Sequence, residues 1–127
     1  MKMVNEFYFF LPRLICHDVL FLAPASPPSQ ITQTALSPTE ILVTWDRVPP
    51  IDRNGIITMY EVLYQPLETF GGAMGPLTLT VIFPNMSAIL TQLEEYVVYN
   101  ISVRAFTETG PGVYSIVMQE RTLEDGK

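Results

Sequence analysis

The stretch Leu93–Phe106 reads LEEYVVYNISVRAF, and its alternation decides what kind of fold the chain can adopt. Tyr99, Ile101, Val103 and Ala105 fall on one parity and Asn100, Ser102 and Arg104 on the other, the period of two of a half-buried β-strand. The first set is expected to face a core and the second to face outward. An asparagine in the outward set is not a core residue. Asn100 is then either a polar strand residue or a sugar acceptor.

The same period runs through the neighbouring segments. In EILVTW (40–45), Ile41, Val43 and Trp45 share one face, with Leu42 and Thr44 on the other. In TMYEVLY (58–64), Thr58, Tyr60, Val62 and Tyr64 share a face. PLTLTVIF, NMSAILTQL and YSIVMQERT add further β-branched and apolar runs, and no segment has helical spacing. Proline- and glycine-rich punctuation separates the runs: PPSQ, LSPTE, RVPPIDRNG, FPN and TETGPG. Asn54-Gly55 offers a pair able to take positive φ at the start of TMYEVLY. Short strands between such turns predict an all-β, antiparallel β-sandwich of seven strands over residues 27–123, with 124–127 as a tail or linker.

Residues 1–26, MKMVNEFYFFLPRLICHDVLFLAPAS, are apolar and aromatic without either period. Two readings stand for this leader. One is a cleaved or degenerate secretory signal, imitated by the Ala23-Pro24-Ala25 triplet after an apolar run; the other is a disordered or loosely packed segment, since Pro12, Arg13, His17 and Asp18 interrupt that run. No stretch reaches the roughly 18 to 20 apolar residues of a spanning helix. A membrane connection is therefore expected only through a parent protein.

The 127 residues suit one domain with a real core, being 48% hydrophobic and 16% charged. The net charge of −6 disfavours nucleic acid and anionic membrane surfaces as partners. Cys16 is the sole cysteine, so no internal disulfide supports the fold.

Taken together, the segments from Pro27 to Thr122 resemble a fibronectin type III domain of the immunoglobulin-like sandwich class. The resemblance rests on the proline-rich PPSQI, on Trp45 at the end of the second strand, on GIITMYEVLY, and above all on LTQLEEYVVYNISVRAFTETGPGVYS. There Leu93 precedes Tyr99 by six residues, and Gly110 and Gly112 precede Ser115. The resemblance implies a core cluster of Trp45, Tyr60, Leu93 and Tyr99. It also implies a Tyr99 hydroxyl turned toward backbone at the corner before its own strand, where burial would otherwise strand the polar tip.

Catalytic chemistry finds no support in the residues. Cys16 and His17 are adjacent in the leader, and adjacency in sequence does not set an imidazole beside a thiol with an orienting third group. One cysteine and one histidine cannot supply a zinc site. The scattered carboxylates, among them Asp46, Asp52, Glu94 and Glu95, lack calcium-loop spacing, and TFGGAMGP lacks the lysine of a phosphate loop. Neither an enzyme nor a cofactor is expected.

Two sequons occur, NMS at Asn85 and NIS at Asn100. Both positions are expected to be accessible, one in a turn and the other on an outward face. Candidate partner surfaces are an outward face with Met59, Glu61, Leu63, Ser102 and Arg104, on which Met59, Leu63 and Val98 are apolar, and the loops Val48 to Gly55 and Thr107 to Gly112. The resemblance thus implies a non-catalytic interaction or spacer module, with neighbouring modules in a tandem array, in the extracellular part of a larger adhesion or receptor protein of the receptor tyrosine phosphatase kind. The alternative it leaves open is an intracellular structural module of a filament-associated protein, in which the sequons would be idle.

Overall fold

A computed structural model describes residues 22–67 and 75–125. The leader up to residue 21, with Cys16 and His17, the loop residues 68–74 and the last two residues of the tail lie outside the described residues.

The described chain is all β apart from one short 3-10 turn at Pro50–Asp52. The strands in order are β1 (Ser29–Ser37), β2 (Glu40–Asp46), β3 (Met59–Pro66), β4 (Leu77–Ile82), β5 (Ser87–Leu90), β6 (Val98–Thr107), β7 (Gly110–Pro111) and β8 (Met118–Arg121). They form two antiparallel sheets. One has the order β1-β2-β5; in the other β4, β3 and β6 lie side by side, and both β7 and β8 pair with β6. Burial follows the parity read from the sequence: Ile41, Val43 and Trp45 on β2, and Tyr99, Ile101, Val103 and Ala105 on β6, enter one core between the sheets.

Eight segments stand where seven strands were expected, because the last strand is broken in two. Pro111 lies opposite Phe106 and Met118 opposite Ile101, so five steps along β6 are matched by seven along the returning chain. Two extra residues are bulged out between β7 and β8. Ser115 repairs the ladder there: its amide donates to the Val103 carbonyl and its hydroxyl accepts from the Val103 amide. The hydroxyl stands where a backbone acceptor would otherwise be missing from a buried N–H.

Residues 22–26, which the sequence reading groups with the leader, are bonded to the sandwich. The Ala25 amide donates to the Asp52 carbonyl, the Asn54 side-chain amide donates to the Ala23 carbonyl, and the Thr107 hydroxyl donates to the Leu22 carbonyl. Pro24 is buried, and a Cβ on Gly112 would come within 2.7 Å of the Pro24 carbonyl oxygen. Gly112 is therefore required by the close approach of residues 22–26 to the β6–β7 end of the sandwich.

The polypeptide runs in at one pole and out at the other. Residues 22–26 bind the β2–β3 connection and the end of β6, whereas Leu123 donates to the Ser37 carbonyl and accepts from the Tyr96 amide at the opposite end.

Candidate functional site

Two regions carry the residues singled out in the sequence: the β5–β6 corner with the core behind it, and the outer face of the larger sheet.

In the core, Trp45 and Tyr60 stack at a tilt, with ring centroids 5.3 Å apart, and Phe83 lies 6.3 Å beyond Tyr60. Trp45, Tyr60, Leu93 and Tyr99 all belong to one continuous buried cluster. Two polar atoms in it, Trp45 Nε1 and the Tyr60 hydroxyl, have no hydrogen-bond partner. At the corner the Tyr99 hydroxyl accepts from the Glu94 amide at 2.8 Å. Burial pushes the Tyr99 phenol above the ordinary tyrosine pKa, and the bond from Glu94 acts in the opposite sense.

Thr122 completes this corner, and nothing in RTLEDGK had marked it. Only 1% exposed, it accepts from the Val97 amide at 2.9 Å and donates to the Glu94 carbonyl at 2.7 Å through one hydroxyl. Both backbone groups of Glu94 are thereby bonded, one by Tyr99 and one by Thr122. Corner residues outside the ladders gain the partners that the sheet cannot give them.

On the outer face, strand pairing places Glu61 opposite Arg104, with Met59 and Leu63 on the same side of β3. The four residues therefore do share one surface, but all are half-buried. Arg104 Nη2 lies 2.7 Å from Glu61 Oε1, and Tyr114 donates its hydroxyl to the same oxygen at 2.6 Å. The Arg104 guanidinium also lies over the Tyr114 ring at 4.3 Å and the Phe106 ring at 5.1 Å. Arg104 is thus held by its own sheet and is not a free cation. Burial, followed by the hydrogen bond to Glu61, raises the pKa of Tyr114.

Ser102 corrects the expected face. Its parity is outward, yet it is 4% exposed, lying opposite Leu63 on β3 and lining one recess with Leu63 and Val117 of the bulged return. Ile82, opposite Met59 on β4, is 61% exposed and extends the apolar strip to the edge of the sheet.

The two sequons differ in setting. Asn85 is exposed in the β4–β5 turn, its amide bonded to the Ile82 carbonyl. Asn100 is half-buried and its side-chain oxygen accepts from Gln119 at 3.0 Å. Among the described residues no group of three or more His, Cys, Asp or Glu is placed to hold a metal ion.

This architecture has known counterparts. Protein sidekick-1 of Gallus gallus is 39% identical over 104 residues, 80% of this chain and 5% of that protein. Receptor-type tyrosine-protein phosphatase F of Danio rerio is 35% identical over 108 residues, again 81% of this chain and 5% of the relative. The chain spans about one-twentieth of the length of these curated relatives. Among solved structures, the FN5 domain of Drosophila Lar matches with a TM-score of 0.65 and 25% identity, covering 81% of this chain and all of that one. The FN1-FN3 domains of chicken CNTN1 match with a TM-score of 0.69 and 24% identity, covering 80% of this chain and 33% of the other, a likeness of fold. The model of the fibronectin type III domain matches residues 26–121 and so takes in every strand of both sheets. On that match the chain belongs to the fibronectin type III family.

Proposed function

We propose that the chain is a non-catalytic protein-interaction or spacer module in the extracellular part of a larger adhesion or receptor protein. The observation that carries this reading is the similarity to sidekick-1 and to a receptor-type phosphatase, each about twenty times longer than the matched segment. The geometry supports it. A chain that runs in at one pole and out at the other suits head-to-tail linkage, in which neighbouring modules meet at the poles and leave the sheet faces open to partners. The module in this reading extends from the clasp at residues 22–26 to Leu123.

The contact surface in this reading is the outer face of the larger sheet, where Met59, Leu63, Ile82 and Phe106 lend apolar area around the fixed Glu61–Arg104 pair. Charged replacements at Met59 and Ile82 that left partner binding by the parent protein unchanged would remove this face from the reading.

Compartment is tested by sugar. Secreted from mammalian cells, the chain is expected to carry an N-glycan at Asn85, the sequon in an exposed turn, and Asn85→Gln is expected to lower the intact mass by one glycan. A mass showing both Asn85 and Asn100 bare would count against an extracellular setting and in favour of an intracellular one.

A further inference from the structure

At the pole where the chain enters, the β2–β3 connection and the start of β3 enclose a recess of about 200 Å³ lined by Arg47, Arg53, Ile56, Ile57, Tyr60 and Phe83. Its two arginines are opposite in sign to the chain as a whole, which is net −6. Of the four described arginines, Arg104 is bound by Glu61, and Arg121 donates to the Tyr96 carbonyl and stacks on the Tyr96 ring. Arg47 and Arg53 remain, both at this recess. Arg53 donates through Nε to the Val48 carbonyl, which fixes its direction and leaves its terminal nitrogens unassigned. Among the described residues the Arg47 guanidinium has no hydrogen-bond or ion-pair partner, and neither arginine pairs with the nearby Asp46 or Asp52.

A second observation points to a ligand. Tyr60 forms part of the recess, is 0% exposed, and its hydroxyl has no partner. A buried hydroxyl without a hydrogen bond costs stability that phenylalanine at the same place would not lose. Retaining such a group beside two guanidinium forks is the arrangement of a site completed by an oxygen ligand. Burial raises the pKa of Tyr60 and the charges of Arg47 and then Arg53 oppose that rise, so both cations act on this hydroxyl.

We propose that this recess binds a carboxylate on a short apolar stem, presented as a glutamate or aspartate flanked by apolar residues on a partner protein. Arg47 and Arg53 take the carboxylate, and Ile56, Ile57 and Phe83 cover the stem. The volume is below the roughly 300 to 1,000 Å³ of sites for drug-sized ligands, which matches a single side chain. Guanidinium forks prefer the planar, two-oxygen geometry of a carboxylate.

The test is an NMR titration of the purified chain, which is independent of the compartment proposed above. Hexanoate is the probe, its neutral analogue hexanamide the control, and an acetylated, amidated Leu-Glu-Leu peptide the protein-like arm, compared with Leu-Gln-Leu. Hexanoate and Leu-Glu-Leu are expected to shift the amide signals of Gly55, Ile56 and Ile57 saturably in the millimolar range, and the neutral probes to leave them in place. Arg47→Gln, at an exposed residue whose side chain has no partner among the described residues, is expected to weaken binding about tenfold with an unchanged melting temperature. Tyr60→Phe is expected to melt at or above the wild-type temperature and to bind hexanoate several-fold more weakly. Absent saturation, an equal response to hexanamide, or undiminished binding by Arg47→Gln would overturn the site. Binding of hexanoate without Leu-Glu-Leu would overturn the protein-borne carboxylate as its ligand.

Discussion

Trp45→Ala is expected to cost about 3 to 5 kcal/mol of folding free energy, the usual consequence of truncating a large buried aromatic. Trp45 is buried at the end of β2, against Tyr60 of the opposite sheet, so its loss opens a cavity between the two layers. The neighbours that could fill this space are held in ladders and cannot collapse freely. The unpartnered Nε1 disappears with the ring, which lowers the cost only slightly. A domain of this size has about 5 to 15 kcal/mol in hand, and its sole cysteine rules out an internal cross-link. Thermal melting of Trp45→Ala is expected to fall by on the order of 20 °C or to lose its cooperative transition altogether. A melt within a few degrees of wild type would contradict a core organised around this residue.

Thr122→Val is expected to cost about 2 to 4 kcal/mol, although the two side chains have nearly the same shape. The hydroxyl serves two backbone groups, the Val97 amide and the Glu94 carbonyl, and valine leaves both without that partner. Each buried polar group left unsatisfied costs about 1 to 3 kcal/mol. Thr122→Ser keeps the hydroxyl and is expected to recover most of the loss. Chemical denaturation of the pair separates hydrogen bonding from packing: equal midpoints for the valine and serine variants would show that the threonine acts only by filling space.

Local alternation made much of this fold legible. Ile41, Val43 and Trp45, and Tyr99, Ile101, Val103 and Ala105, fall inside because a strand with one buried face has no other register available. What escaped the sequence depends on which distant segments meet. Ser102 has the right parity for exposure, but it lies opposite Leu63 and lines one recess with Val117 of the bulged return. Thr122 stands at the end of the last run with nothing local to mark it, and its value comes from β8 ending beside a corner some 25 residues earlier in the chain. Residues 22–26 share their composition with the leader, and only the folded chain shows their bonds to Asp52, Asn54 and Thr107. The split of the last strand escaped the sequence because a two-residue surplus has no compositional mark.

The proposed partner face shows the same division. Parity brought Met59, Glu61, Leu63 and Arg104 to one side of the sheet. It could not show that Glu61 and Arg104 neutralise one another, nor that Tyr114 and Phe106 flank the guanidinium. That ion pair is partly exposed, so it contributes at most a modest amount to stability, and its larger effect is to fix the shape of the face.

LEEYVVYNISVRAF forms the corner and strand on which the two sheets close, with Tyr99 and Thr122 bonding the corner backbone. Native-state hydrogen exchange of the Glu94 and Val97 amides tests it most directly. The account predicts that both exchange only through global unfolding, with the same opening free energy as Val103 in the centre of β6, and that Thr122→Val releases Val97 to faster local exchange. Exchange of Glu94 and Val97 at rates typical of open loops in the wild-type chain would contradict it.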